Sequence, residues 1–152
     1  MSRALFFAML YASAFVLNFC WESWQGVLYG AHQALAASVY VPMMVNMSLL
    51  DALSVIGLYL FTALFIRSVV WPVGTRALFI FSLSGVASSW MVEYLYVYIL
   101  HAWSYTPAMP LLFGVGLTPL LQIAATGLVA VFTARAAAGF RKPEHQIAQT
   151  SR

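Results

Sequence analysis

The chain has 152 residues, of which 63% are hydrophobic and only 7% are charged, and its formal net charge at pH 7 is +3. A water-soluble domain carries charge at about 25% of its positions, so this composition excludes an ordinary soluble protein and indicates a protein of the lipid bilayer. Seven Lys and Arg residues are too few for a nucleic-acid-binding surface, so we expect no nucleic-acid partner. The single cysteine, Cys20, excludes an internal disulfide.

The apolar runs predict an all-α fold, an integral membrane bundle of four transmembrane helices. A helix needs about 20 mainly apolar residues to cross the hydrocarbon core. The predicted spans are residues 4–21, 42–66, 76–100 and 108–133. They form one domain over residues 1–138, and we expect the polar segment 139–152 to be a disordered cytoplasmic tail.

The first span begins like a secretory signal peptide. Arg3 precedes an apolar run, and Ala12-Ser13-Ala14 has the small-x-small form of a cleavage site. The apolar run continues beyond this site through Phe15-Val16-Leu17. We therefore expect an uncleaved first helix.

The sequence allows two starts for the second span. The apolar run begins at Val41, and Pro42 suits the first turn of a helix, where its missing N–H costs nothing. From that start Asp51 lies about nine residues in, roughly 13 Å along the helix. A start at Leu49 would instead leave Asp51 near the interface. We predict the longer span, 42–66.

The placement of the cations predicts the orientation of the bundle. Arg3, the turn with Arg67 and Arg76, and the segment that begins at Arg135 all fall on one side of a four-span arrangement. The other two loops contain no Lys or Arg. Because short cytoplasmic loops are enriched in these residues, both termini are predicted to lie in the cytoplasm.

Three acidic residues lie within or at the ends of the predicted spans, and the topology brings them to a similar depth. Glu22 is at the outer end of span 1, Asp51 is in the outer half of span 2, and Glu93 is about two turns inside span 3. Every Lys and Arg is on the other side, so amides, hydroxyls, histidine, water or the acids themselves must stabilise these carboxyl groups. Such a group can hold a proton or donate one to an olefin or a carbonyl. We therefore predict all three as candidate catalytic residues.

Polar and aromatic side chains accompany these acids. Asn18 lies one helical turn from Glu22 on the same face of span 1, and Gln25 follows three residues after Glu22. Gln122 lies about twelve to fifteen residues into span 4, near the middle of the membrane. The loop after span 3 adds a histidine and two aromatic residues that can act as a lid. The candidate ligand-binding residues are Asn18, Gln25, His101, Trp103, Tyr105 and Gln122.

Each of these residues also has a structural interpretation. The amides can join helices by hydrogen bonds, Glu22 can be hydrated at the interface, and the rings can form an interfacial aromatic belt. The sequence contains no Gly-rich phosphate loop, no nucleophile elbow and no histidine pair with metal-ligand spacing on a helix. We therefore predict no cofactor and no metal.

Two short stretches carry a resemblance. One is Asn18-Phe19-x-Trp21-Glu22-x-x-Gln25-x-x-Leu28-Tyr29, and the other combines Met109-Pro110 with Thr118-Pro119-Leu120-Leu121-Gln122. Over both hairpins the chain resembles a group of small bacterial integral membrane proteins that have no assigned biochemistry. The resemblance implies four spans and the bacterial cytoplasmic (inner) membrane, and it implies no activity.

Glu22 and Gln25 are also similar to a helix of the four-span sterol-isomerase and sigma-2-receptor superfamily, whose acids line a membrane pocket for amphipathic amines and sterols. This likeness covers a few residues and the order of motifs differs, so that function is not carried over.

Three functional hypotheses follow. In the first, a carboxylate-containing pocket in the outer half of the bundle binds or converts a lipophilic small molecule, such as an isoprenoid or a lipid. In the second, the acids couple a proton or a cation to transport by a homo-oligomer, because one four-span bundle is small for a complete pathway. In the third, the chain is an accessory or assembly subunit of a membrane complex. The first is preferred, and whether the protein is an enzyme stays open.

Overall fold

Four long helices dominate the computed structural model, which describes residues 3–30 and 32–139. They are α1 (Arg3–Gln25), α2 (Ala37–Ile66), α3 (Thr75–Tyr94) and α4 (Leu117–Ala137). All four helices are long and apolar enough to cross a membrane. The predicted all-α bundle of four spans is therefore confirmed, and the chain is a multi-pass membrane protein.

Short elements occupy the connections. The 3₁₀ helices Gly26–Leu28 and His32–Ala34 join α1 to α2, and the π-helix Leu95–Ile99 extends α3. A two-stranded hairpin of β1 (Leu111–Leu112) and β2 (Val115–Gly116) precedes α4. The predicted tail 139–152 lies outside the described residues except for Gly139.

The second helix begins earlier than the sequence suggested. It starts at Ala37, so Pro42 lies inside the helix and not in its first turn. Because Pro42 lies beyond the first four N–H groups, which have no intrahelical partner, its missing N–H removes one hydrogen bond of the helix. Asp51 consequently lies near the middle of this 30-residue helix and not about nine residues in.

The fourth helix begins later than predicted, at Leu117 and not at residue 108. Phe113 and Gly114 have φ angles of 50° and 81°, and positive φ at both central residues is the geometry of a two-residue hairpin turn. The hairpin turns the chain back, and the Leu117 N–H then donates to the Pro110 carbonyl at 2.8 Å. The start at 108 is therefore corrected, and Gln122 lies in the second turn of α4 and not near the middle of the span.

The two ends of the bundle differ in charge. The arginines of the described chain, Arg3, Arg67, Arg76 and Arg135, lie at the helix ends and connections on one side, here called the basic end. Trp71 from the connection between α2 and α3 is fully buried there. It stacks on Tyr59 with ring centroids 4.9 Å apart, and Arg135 donates to its carbonyl oxygen at 2.9 Å.

The opposite side is here called the polar end. Close packing of α3 on α4 brings Glu93 to it. A Cβ at Gly85 would approach Ala124 at 3.1 Å, and a Cβ at Gly127 would approach the Phe81 ring at 2.7 Å. Small residues of this kind let helices approach closely in lipid. The buried face of α3 repeats every four residues and ends at Glu93, so this packing carries a carboxyl group into the bundle.

Candidate functional site

Gln122 is the centre of a hydrogen-bond network at the polar end. Its Nε2 donates to Glu22 Oε1 and Asp51 Oδ2 at 2.8 Å each, and to Asn18 Oδ1 at 3.1 Å. An amide nitrogen has only two N–H groups, so three acceptors share two hydrogens. Because these acceptors belong to α1 and α2, the Gln122 side chain links α4 to both of those helices.

The remaining members of this network complete the pairing around Gln122. Gln25 Nε2 donates to Gln122 Oε1 at 2.6 Å and to Glu22 Oε1 at 3.0 Å. Thr126 Oγ1 lies 3.1 Å from Asn18 Oδ1 and 2.7 Å from the Gln122 carbonyl oxygen. We call this set the amide cluster, and its members are Asn18, Glu22, Gln25, Asp51, Gln122 and Thr126.

Helical spacing explains why the amide cluster forms. Asn18, Glu22 and Gln25 follow one another by four and three residues, so they share one face of α1. Gln122 and Thr126 are four residues apart on α4. Asn18 and Gln25 are 0% and 1% exposed, which places this polar face inside the bundle and not toward lipid.

Glu22 and Asp51 form a close pair of acids within the amide cluster. Each carboxyl group accepts from the same nitrogen at 2.8 Å, so the two acceptor oxygens are less than about 6 Å apart, a range in which like charges oppose each other. The arginines of the described chain lie at the other end of the bundle. Amide N–H groups of Gln25 and Gln122 stabilise the pair, and the two carboxyl groups are close enough to share a proton.

Glu93 occupies a second polar site, in the last turn of α3. Its side chain is 6% exposed and accepts hydrogen bonds from the hydroxyl groups of Tyr29, at 3.2 Å, and Tyr105. The Gly116 N–H donates to the Tyr105 hydroxyl oxygen at 3.0 Å. Two phenols thus hold one carboxyl group from outside the helix that carries it.

Two loops position these phenols. Tyr29 and Tyr105 face each other across an isolated antiparallel bridge. On either side of it, the Gly30 N–H donates to the Ser104 carbonyl and the Thr106 N–H donates to the Leu28 carbonyl, both at 2.9 Å. The connection after α1 and the connection after α3 therefore form one lid over Glu93.

Two further polar groups beside Glu93 are buried without a hydrogen bond among the described residues. Trp103 stacks flat on Tyr96, with centroids 4.3 Å apart and 7° between the planes. Its indole nitrogen lies close to the Glu93 carboxyl group but makes no hydrogen bond of ordinary geometry. Ser89, one turn before Glu93, is 7% exposed, and its hydroxyl also has no hydrogen-bond partner among the described residues. We call Tyr29, Ser89, Glu93, Trp103 and Tyr105 the Glu93 cluster.

The lid residues keep their protons near neutral pH. Burial raises the pKa of Tyr29 well above the usual range of a phenol, and the negative charge of Glu93 raises it further. Burial and the hydrogen bond to Glu93 also raise the pKa of Tyr105. Burial lowers the pKa of His32, whose ring packs 5.2 Å from that of Tyr29. The two phenols therefore remain donors, and the imidazole is neutral.

The structure brings together most of the residues predicted as a site. Glu22, Asp51, Asn18, Gln25 and Gln122 meet in the amide cluster, and Glu93, Trp103 and Tyr105 meet in the adjacent cluster. Their roles in catalysis and ligand binding stay predictions.

His101 is the exception among the predicted site residues. Its side chain is exposed, its φ angle is 50°, and its Nδ1 lies 3.2 Å from the Val97 carbonyl oxygen. The ring therefore remains with the end of its own helix and does not join the lid.

Three residues of these clusters were missed by sequence reasoning. Thr126 lies four residues after Gln122, and Ser89 lies four residues before Glu93, so helical periodicity could have found both. No helical spacing points to Tyr29, because its position depends on pairing between two loops that are distant in sequence.

Metal binding finds little support in the residue arrangement. Glu22 and Asp51 could contribute two oxygen ligands, but no group of three or more His, Cys, Asp or Glu side chains within residues 3–30 and 32–139 is arranged to hold an ion. A surface groove of about 670 Å³ lies at the basic end, away from the acids.

Comparison with known proteins gives no further assignment. No family model matches the chain, and neither a curated protein nor a solved structure shows significant similarity to it.

Proposed function

We propose that the protein binds a lipophilic small molecule at the polar end of the bundle and holds the polar group of that molecule at Glu93. One observation supports this most directly: buried hydrogen-bonding groups beside Glu93 outnumber the partners that the described chain gives them. Among the described residues, Trp103 Nε1, which lies close to the Glu93 carboxyl group, and Ser89 Oγ are buried without a hydrogen bond of ordinary geometry. Because buried polar groups are nearly always paired, the polar group of a ligand is a fitting partner for them.

The surroundings of Glu93 suit a molecule that is mainly apolar. The ring centroid of Tyr29 lies 6.1 Å from that of Trp103 and 5.6 Å from that of Tyr105. Aromatic side chains bury large apolar surfaces while offering one polar atom each. A ligand with an apolar body and a single polar group matches this combination.

The same groups suit acid–base chemistry on the bound molecule. Glu93 is held by two phenols, and the Glu22–Asp51 pair beside it is close enough to share a proton. A carboxyl group so placed can transfer a proton to an olefin or a carbonyl during isomerisation or hydration. Glu93, Asp51 and Glu22 are the catalytic residues in this proposal if the ligand is converted.

The distribution of buried polar residues favours binding over transport through one bundle. Beyond Thr126, toward the basic end, the described core is almost entirely apolar. It consists mainly of Phe6, Leu10, Val55, Phe81, Ala130 and Val131. Thr62 donates to the Leu58 carbonyl of its own helix and so offers no relay. Among the described residues, a proton that enters at the polar end therefore meets no continuous chain of polar side chains across the bundle.

We also propose the membrane and the orientation. The arginines at one end support placing that end in the cytoplasm, and the polar end then faces the outer leaflet. The motifs Asn18 to Tyr29 and Met109 to Gln122 support the bacterial inner membrane. A ligand would enter from the outer leaflet or from the aqueous phase outside it.

The test is to identify what the protein retains. Full-length protein is purified from membranes of its own host in a mild detergent, and its organic extract is analysed by mass spectrometry. We expect a lipophilic compound that wild type retains and that Glu93→Gln loses about tenfold, since the variant keeps the shape of the side chain but not its charge.

A matched control uses Thr133→Ala, because the exposed Thr133 hydroxyl donates only to the Val129 carbonyl of its own helix. This variant should retain the compound. Equal retention by wild type and Glu93→Gln would refute binding at Glu93. Loss of folded protein in Glu93→Gln would favour the accessory-subunit hypothesis, in which the polar groups only hold helices together.

A further inference from the structure

An apolar groove of about 670 Å³ runs along α2 at the basic end. Gly57, Leu60, Phe61 and Leu64 line it, and their spacing of three and four residues places them on one face of the helix. A Cβ at Gly57 would meet no atom within 4 Å, so the missing side chain creates the depression. Leu64 is 75% exposed, which opens the groove toward the bilayer.

Arg67 forms the end of this groove. Its side chain is exposed, and the three described acids, Glu22, Asp51 and Glu93, lie at the polar end, so none of these carboxylates is placed to pair with it. Its φ angle of 56° is in the left-handed region, where it caps α2 by donating its N–H toward the Ala63 and Leu64 carbonyls. Glycine is the usual residue in that position, so arginine is kept there against its backbone preference, which points to a use for its side chain.

The length of the groove matches one leaflet. From Gly57 to Arg67 the helix rises about 15 Å, and the hydrocarbon core of a bilayer is about 30 Å thick. The groove therefore extends from the middle of the membrane to a cation at the interface. An apolar channel of this length with a positive charge at its outer end has the shape and charge of a site for one acyl chain and an anionic headgroup.

We propose that this groove is a binding site for an anionic phospholipid of the leaflet at the basic end. One acyl chain lies along the Gly57–Leu64 face of α2, and the headgroup phosphate pairs with the Arg67 guanidinium. Arginine suits this role because its guanidinium matches phosphate oxygens with two parallel N–H donors. This site is separate from the polar end and does not depend on the function proposed there.

Native mass spectrometry of the purified full-length protein tests the assignment. The protein is titrated with phosphatidylglycerol and, separately, with phosphatidylcholine that has identical acyl chains. Wild type should bind phosphatidylglycerol more tightly. Arg67→Gln should weaken phosphatidylglycerol binding about fivefold, to the level of phosphatidylcholine, and Arg67→Lys should recover part of the preference.

Two further variants separate the chain from the headgroup. A Cβ at Gly57 would meet no atom within 4 Å, so Gly57→Leu should occupy part of the groove and weaken binding of both lipids, and Gly57→Ala should do so to a smaller degree. Arg76→Gln removes a charge at the same end but outside this groove and should leave binding unchanged.

Several results would overturn the proposal. Equal binding of the two lipids by wild type, or unchanged phosphatidylglycerol binding by Arg67→Gln, would exclude the headgroup contact. Unchanged binding by both Gly57 variants would exclude the acyl-chain site. An equal loss in Arg76→Gln and Arg67→Gln would show attraction by the whole basic end and not a site at Arg67. The melting temperature of each variant confirms that it is folded.

Discussion

The amide cluster and the Glu93 cluster lie side by side at the polar end, yet they are built differently. In the amide cluster the side chains come from three helices, and each polar side chain is hydrogen-bonded to another member. In the Glu93 cluster two phenols come from loops, and two buried polar atoms have no hydrogen bond among the described residues. The polar side chains of the amide cluster are hydrogen-bonded to one another, whereas the Glu93 cluster contains buried polar atoms without a hydrogen bond among the described residues.

This difference separates two uses of polar groups in lipid. Polar residues on helices that satisfy one another join the bundle, because an unpaired polar group in hydrocarbon is costly. Polar residues in loops are free of helical packing and can be arranged around another molecule. We therefore expect variants of the amide cluster to change stability and variants of the Glu93 cluster to change ligand retention.

The largest effect is expected from Gln122→Met, which keeps the size of the side chain and removes its donors. Glu22 and Asp51 then lose the amide that separates them, and the bundle should be destabilised by about 2–4 kcal/mol. Reversible unfolding in mixed detergent micelles measures this change. Adding Glu22→Gln and Asp51→Asn to Gln122→Met should recover part of the loss, and a stability equal to wild type in Gln122→Met would contradict the central role of this residue.

Trp103→Phe should change ligand retention and leave stability nearly unchanged. The indole N–H makes no hydrogen bond within the described chain, so the free energy of unfolding should change by less than about 1 kcal/mol. Under the proposed function, retention of the lipophilic compound should nevertheless fall about tenfold, because the variant removes a donor from the proposed site. Mass spectrometry of the organic extract checks retention. A large loss of stability without a loss of retention would assign this tryptophan to packing.

The raised pKa of Tyr29 predicts how the lid responds to alkaline pH. An unfolded phenol ionises near its ordinary pKa of 10.0, whereas the buried Tyr29 keeps its proton. Its contribution to stability is thus complete below about pH 10 and is lost as the pH rises above that value, by about 1 kcal/mol at pH 11.

Melting temperatures between about pH 9 and pH 11 test this expectation. Wild type should lose more stability over this range than Tyr29→Phe, which has no phenol to ionise in the unfolded chain. Identical slopes for the two proteins would mean that Tyr29 is not protected from ionisation by folding.

The smallest effect is expected from His101→Ala. The ring is exposed and bonds only toward its own helix end, so both stability and ligand retention should stay within about 0.5 kcal/mol of wild type. The two assays above measure both quantities. A clear loss of retention would show that His101 contributes to ligand binding.

The four-span fold and most of the amide cluster could be predicted from the sequence by helical periodicity. The spacing of Asn18, Glu22 and Gln25 requires only that α1 be a helix. The start of α4 could not be predicted in this way, because Pro107 and Pro110 also suit a helix start and precede the hairpin turn at Phe113 and Gly114. The partners of Glu93 were only partly accessible, since Tyr29 reaches it through pairing between distant loops.

The unequal lengths of α2 and α4 have a consequence for the surroundings of Asp51. The 30 residues of α2 and the 21 residues of α4 correspond to about 45 Å and about 32 Å. Of these two helices, α4 matches the hydrocarbon thickness of about 30 Å and α2 exceeds it. Asp51 accepts a hydrogen bond from Gln122 in the second turn of α4. We therefore expect it to lie near one boundary of the hydrocarbon, with the first turns of α2 extending past that boundary. We therefore expect hydrophobic mismatch to control hydration at this carboxyl group: a thinner bilayer should leave it in contact with water, and a thicker one should draw it into lipid.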